Sequence, residues 1–159
     1  MPHDDALRNQ LINLLRESHA HAGFDKAVMG IPADKMGVRP SGLPHSAWEL
    51  LEHIRLAQHD IVEFSESAKY EPRNFPDDYW PASPAPVNAG DWEKSVQSVL
   101  ADRGAFIELL QDPTRDLYEP FPWGEGQTLL REALLIADHN AYHVGEMVLV
   151  RRLLGVWPG

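Results

Sequence analysis

Two histidines, His139 and His143, stand four residues apart inside TLLREALLIADHNAYHVGEMVLVRRLL. On a helix, residues i and i+4 share a face. Two imidazoles held that way can share one metal ion, each nitrogen standing about 2.0–2.1 Å from a zinc. Two ligands do not complete a site, so the sequence must supply a third. The spacing is not that of HExxH: Asn140 follows His139, where a zinc protease carries its glutamate base.

The element that positions this pair reads as a helix from Thr128 to Leu154. Thr128 is its N-cap and Glu132 lies in its first turn. Arg151 and Arg152 end it, Gly155 stops it, and Pro158 follows. At about 100° per residue, Leu129, Ala133, Ile136, Val144, Met147 and Leu154 make one apolar face. Leu130, Leu134, Ala141 and Val148 make a second, which either packs in the bundle or meets another copy. One polar stripe interrupts this surface: Glu132, His139, His143 and Glu146. Polar groups in an apolar helix cost a few kcal/mol each unless they find partners. A metal, with carboxylates holding the imidazoles, satisfies such a stripe.

The remaining elements are set by proline. All 13 prolines fall outside His3–Ile31, His45–Glu71, Val87–Asp112 and Trp123–Trp157. Proline breaks helix interiors, and each window has helical periodicity, so four helices and no strand are predicted. The first runs from Asp4 to Met29, with Leu7, Leu11, Leu14, Ser18, His21, Asp25 and Val28 on its inward stripe. The second starts at Ser46, which forms a capping box with Glu49, and continues to about Tyr70. The third runs from an Asp91 cap to Gln111, and the fourth is the histidine helix. Trp48, Trp92 and Trp157 read as core. Segment 71–90 is too proline-rich for a helix. Phe75, Tyr79 and Trp80 in it call for burial, so it should pack along the bundle as an overhand connection between parallel helices.

Bundles build metal sites from inward side chains on facing helices. The candidates for the third ligand are His53, His21, His19, His45 and His59. His53 fits best, at the edge of the core face with Glu49 one turn before it. His59 lies about 240° round the helix from His53, so the two cannot face one centre. His45 belongs to a loop mouth, His3 to the terminus, and His21 is a candidate fourth group. Glu49 and Glu146 are candidate proton acceptors. An isolated core histidine satisfied by hydrogen bonds remains the alternative for His53.

Composition narrows the function. At 159 residues the chain reads as one domain, 1–159, large enough to bury a core. A net charge of −10, with 14 scattered Lys and Arg, argues against nucleic acid as a partner. The absence of cysteine excludes thiolate ligands, disulfides and a cysteine nucleophile. No apolar run reaches the ~18 residues of a membrane helix, and MPHDDALRNQ does not read as a signal peptide. A soluble, cytoplasmic protein acting on a small molecule is expected.

Three stretches carry a family resemblance: PHSAWELLEHIRLAQHD (44–60), DPTRDLYEPFPWGEGQTLLREALL (112–135) and ADHNAYHVGEMVLVRRLLGVWP (137–158). With them the chain resembles the DinB/YfiT-like superfamily of metal-binding four-helix bundles. The resemblance implies an up-down-down-up bundle with a long crossover, frequent homodimers, and His53, His139 and His143 as a three-histidine metal site. Relatives pair such a site with a low-molecular-weight thiol (bacillithiol, mycothiol or glutathione) in S-transfer or isomerisation, and others are described as metal-dependent hydrolases. Three neutral imidazoles leave a divalent cation an open position. Nitrogen-only ligands suit zinc or nickel, and also iron or copper. Three readings follow: thiol-dependent S-transfer to a small electrophile, hydrolysis by metal-bound hydroxide, and a non-enzymatic metal-binding or stress-associated dimer.

Overall fold

The structure is a computed structural model that describes residues 2–17 and 20–159, with side chains from residue 4 onward. Among the described residues there are five helices: α1 (Pro2–Arg16), α2 (Phe24–Val28), α3 (Ala47–Glu66), α4 (Asp91–Gln111) and α5 (Leu129–Leu153). Short 3-10 turns at Ala33–Lys35 and Asp77–Tyr79 interrupt the connections. No strand occurs among the described residues, and one isolated bridge joins Pro120 to Thr128.

Two apolar clusters fix the helix directions. One gathers Trp48, Leu50, Leu51 and Ile54 with Trp92, Val96, Val99, Val144, Met147 and Val150, and α2 adds Phe24, Ala27 and Val28. The other gathers Leu11, Ile12, Ile61, Val62, Phe106, Ile107, Leu110, Leu129, Ala133 and Ile136. Thus α3 and α4 run from the first cluster to the second, and α1 and α5 return. The bundle is up-down-down-up, with α3 and α4 parallel. Ser95 reaches Glu52 at 2.5 Å and Asp102 reaches His59 at 3.2 Å, both pairs 43 residues apart. Parallel neighbours cannot be joined by a short hairpin, so residues 67–90 travel back along the bundle.

Four sequence expectations need correction. The first helix is not continuous to Met29. It stops at Arg16, and Gly23, extended at φ −84° and ψ 173°, starts the separate α2. Between them Glu17, Ala20 and Ala22 offer little apolar surface to hold a helix against the bundle, and glycine favours leaving it. The short α2 is held instead by Arg151, which is buried and donates to the carbonyls of Lys26 at 3.1 Å, Ala27 at 2.7 Å and Val156 at 3.0 Å. Second, α3 ends at Glu66 rather than Tyr70, because Ser67 is extended and the Tyr70 hydroxyl turns back to Asp60 at 2.9 Å. Third, the α4 cap is Gly90, at φ 88°, while the Asp91 carboxylate accepts from the Asn88 N–H at 2.7 Å. Ser46 and Thr128 cap α3 and α5 as the sequence predicts. In the crossover, Tyr79 and Trp80 are half-buried as expected, but Phe75, expected to be buried, is 82 % exposed and leans on Tyr79.

Candidate metal centre

The two apolar clusters part where α3 and α5 carry polar side chains, and the histidines meet there. His53 comes from α3, and His139 and His143 come from successive turns of α5. Their candidate ligand atoms all lie within 4.8 Å of one another. The Nε2 atoms of His53 and His139 stand 3.1 Å apart. The ring centroids are 4.5–4.8 Å apart, so the three imidazoles converge from different directions.

Each ring has an oxygen opposite its Nδ1. The carbonyl of Tyr79 faces His53 Nδ1 at 2.8 Å, and Glu146 Oε2 faces His143 Nδ1 at 2.7 Å. Asn140 Oδ1 faces His139 Nδ1 at a longer 3.4 Å. The orientation of that amide is set from a distance. Val99 O can only accept, so Gln58 Nε2 donates to it at 2.7 Å. Gln58 Oε1 then receives from Asn140 Nδ2 at 2.7 Å, which leaves Asn140 Oδ1 for His139.

Oxygen acceptors place a proton on each Nδ1, so each Nε2 presents a lone pair. Two lone pairs 3.1 Å apart repel unless a cation stands between them. Nitrogens each about 2.0–2.1 Å from one ion, at angles of 90–109°, lie roughly 2.9–3.4 Å apart. The donor set therefore fits a divalent cation. Burial lowers the pKa of all three rings, with neighbouring histidines adding to it, and brings His143 down to about 4. Neutral rings at pH 7 keep the lone pairs free.

The surroundings are aromatic. Trp80 stacks on His53 with centroids 4.0 Å apart and planes 2° apart, and on His45 at 4.0 Å and 14°. Two rings at the same distance from one indole lie on opposite faces, so Trp80 is sandwiched. Tyr142 meets His143 edge-on at 4.9 Å and is exposed.

The other sequence candidates lie elsewhere. His59 pairs with Asp102 at 3.2 Å and Glu63 at 3.6 Å, on another side of α3. His21 is exposed in the break between α1 and α2, its Nδ1 2.9 Å from Ala22 O, and not on an inward stripe. His19 lies outside the described residues, as do Ser18 and the side chain of His3. Glu49 is buried and fully engaged: Arg39 donates to both oxygens, and the Ser46 N–H donates at 2.8 Å. Burial pushes its carboxyl up, but Arg39 and Ser46 outweigh that and leave its pKa below the ordinary value. Glu132 is buried beside Arg131 at 2.6 Å, and burial raises its pKa. A cavity of about 400 Å³ opens on the other flank of α5; Gln58 and Asn140 reach it, and the three histidines do not line it.

Tyr79, Trp80, Gln58 and Asn140 were missed as site residues by sequence reasoning. The first two stand in a segment without periodicity. Gln58 carried a signal, since a glutamine on the buried side of α3 needs partners.

Fold and site together define a helical-bundle protein with a three-histidine cluster able to hold a metal ion. A family model for the DinB superfamily matches residues 16–147, most of the chain and all three histidines, and the chain belongs to that superfamily. No curated protein and no solved structure matches it.

Proposed function

We propose that this protein is a metal-dependent enzyme acting on a small molecule, with thiol-dependent S-transfer as its reaction. The observation that carries the metal reading is the convergence of three Nε2 lone pairs, each committed by an acceptor on its Nδ1. His53, His139 and His143 would hold the cation, whose chemistry is to favour a thiol guest as its thiolate. The thiolate sulfur forms a bond to an electrophilic carbon as the leaving group departs with its electron pair. The thiol proton goes to solvent.

S-transfer is preferred to hydrolysis because of the carboxylates. A water route needs a proton acceptor. Glu49 is held by Arg39 and Ser46, and Glu146 holds His143. A thiolate needs no further base. Exposed Tyr142 offers apolar surface beside the histidines for an apolar electrophile. The second reading, hydrolysis, would rest on Glu146, whose side chain is 34 % exposed at the site's edge.

Metal analysis of purified protein, then turnover after chelation and reloading, tests this. Turnover that requires both zinc or nickel and an added thiol supports the proposal. Turnover of esters or amides without thiol refutes it in favour of hydrolysis. Loss of stability on chelation with no turnover favours a non-catalytic role.

A homodimer through α5 belongs to the same proposal. Leu134, Tyr142, Leu149 and Leu153 are exposed along its outer side, while Leu130 and Val148 pack inward. Such an apolar stripe suits a second copy.

A further inference from the structure

We propose that Asp60 and Tyr79 form a positioning relay that fixes His53 for metal binding, making the crossover segment part of the metal centre. This rests on the three-histidine reading above and extends it to residues that touch no cation.

Asp60 lies two turns beyond His53 on α3, and seven residues at about 100° each return nearly to the same side. It is 9 % exposed. Its Oδ2 accepts from the Tyr79 hydroxyl at 2.7 Å, and its Oδ1 from the Tyr70 hydroxyl at 2.9 Å. Arg73 Nε stands 3.3 Å from Oδ1 and balances the charge. One carboxylate thus gathers three side chains of the returning chain.

Tyr79 carries this anchorage to the site. Its hydroxyl is bound to Asp60, and its carbonyl faces His53 Nδ1 at 2.8 Å. Trp80 follows directly and covers one face of the same imidazole. The carbonyl commits His53 to the Nδ1–H tautomer, and the indole sets its tilt, so Nε2 points toward His139 and His143. Burial and the Asp60 contact raise the pKa of both tyrosines, Tyr70 to about 12, so both hydroxyls stay donors at neutral pH.

The three ligands differ here. His139 and His143 take their Nδ1 partners, Asn140 and Glu146, from their own helix. His53 takes its partner from the crossover. Partners of this kind set ring orientation and basicity, and their loss weakens metal affinity about 10–100-fold.

The test compares Y79F and Y70F, each of which removes one hydroxyl bond to Asp60. Only Tyr79 is wired to His53. Nickel and zinc affinities are measured by competition calorimetry, with thermal stability of the metal-free protein alongside. The His53 tautomer is read from ring nitrogen shifts in metal-free protein. Y79F should raise the metal Kd about 10-fold and redistribute the His53 tautomer, and Y70F should leave the Kd within about twofold at a similar loss of stability. Wild-type affinity in Y79F overturns the relay. Equal weakening in both variants also overturns it, because the segment would then act only through general stability. H139A separates the two layers: if it binds metal as wild type does, the three-histidine reading itself fails. If H139A loses metal while Y79F keeps it, only the relay fails.

Discussion

Replacing Gln58 with leucine tests whether α3, α4 and α5 are joined through the site. Gln58 is 1 % exposed and donates to Val99 O at 2.7 Å while accepting from Asn140 Nδ2 at 2.7 Å. Leucine fills a similar volume and makes neither bond. The Asn140 Nδ2 donor loses its acceptor, while the Val99 carbonyl, inside α4, keeps its helical bond and loses only the second one. An orphaned donor costs about 1–3 kcal/mol and the apolar surface gained returns about 1 kcal/mol, leaving a net loss of up to roughly 2 kcal/mol. For a chain of this size each kcal/mol moves the melting temperature about 2–4 °C, so a drop of up to roughly 8 °C is expected. Urea unfolding of the metal-free protein gives the free energy, and metal titration gives the second readout. Freed from Gln58, the Asn140 amide can rotate away from His139, and metal affinity should fall about 10-fold. Q58L/N140L should lose less than the sum of the single variants, because the orphaned Asn140 donor has been removed. Wild-type stability together with wild-type metal affinity in Q58L would refute the reasoning, and so would strict additivity in the double variant.

Further outcomes concern the carboxylates and α5. E146Q should weaken metal binding about 10-fold with little change in the stability of the metal-free protein, as measured by calorimetry. E49Q should lower stability at pH 7. The Glu49 pKa is depressed in the folded state, so its contribution is present above the ordinary carboxylate value of about 4.5 and is lost as pH falls through the folded value. Melting curves of E49Q and wild type should therefore differ at pH 7 and converge as the pH falls through that depressed folded value. If α5 carries a dimer contact, L149E/L153E should elute as a monomer on gel filtration while keeping its helical content.

The clustering of His53, His139 and His143 was legible because helix periodicity places His139 and His143 on one face, and because the family resemblance pointed to His53, the best-placed of the other candidates, as the third member. Four of the five helices were readable from proline positions, capping residues and apolar spacing. The break at Gly23 was not, because the inward stripe through Ser18 and His21 keeps helical spacing without being apolar enough to hold a helix. Periodicity gives the phase of a residue and says nothing about whether a neighbour is there to meet it. The same limit hid Tyr79. Its role is that of a backbone carbonyl, which every residue possesses, and only the fold says which one meets His53. Glu49 was read as a proton acceptor from its place one turn before His53, but Arg39, from a loop with no regular pattern, occupies it.

The separation of the ligands along the chain has a bearing on how the protein assembles. His53 and His139 lie 86 residues apart, on α3 and α5, and meet only once the chain between them has folded back. An unfolded chain offers a cation at most the His139/His143 pair on a nascent turn. An ion held by all three histidines would therefore not seed the fold, and its uptake would follow chain closure. With the site formed after the folding transition state, added metal should leave the refolding rate nearly unchanged and slow unfolding. Stopped-flow traces with and without nickel would show this as a shift confined to the unfolding arm.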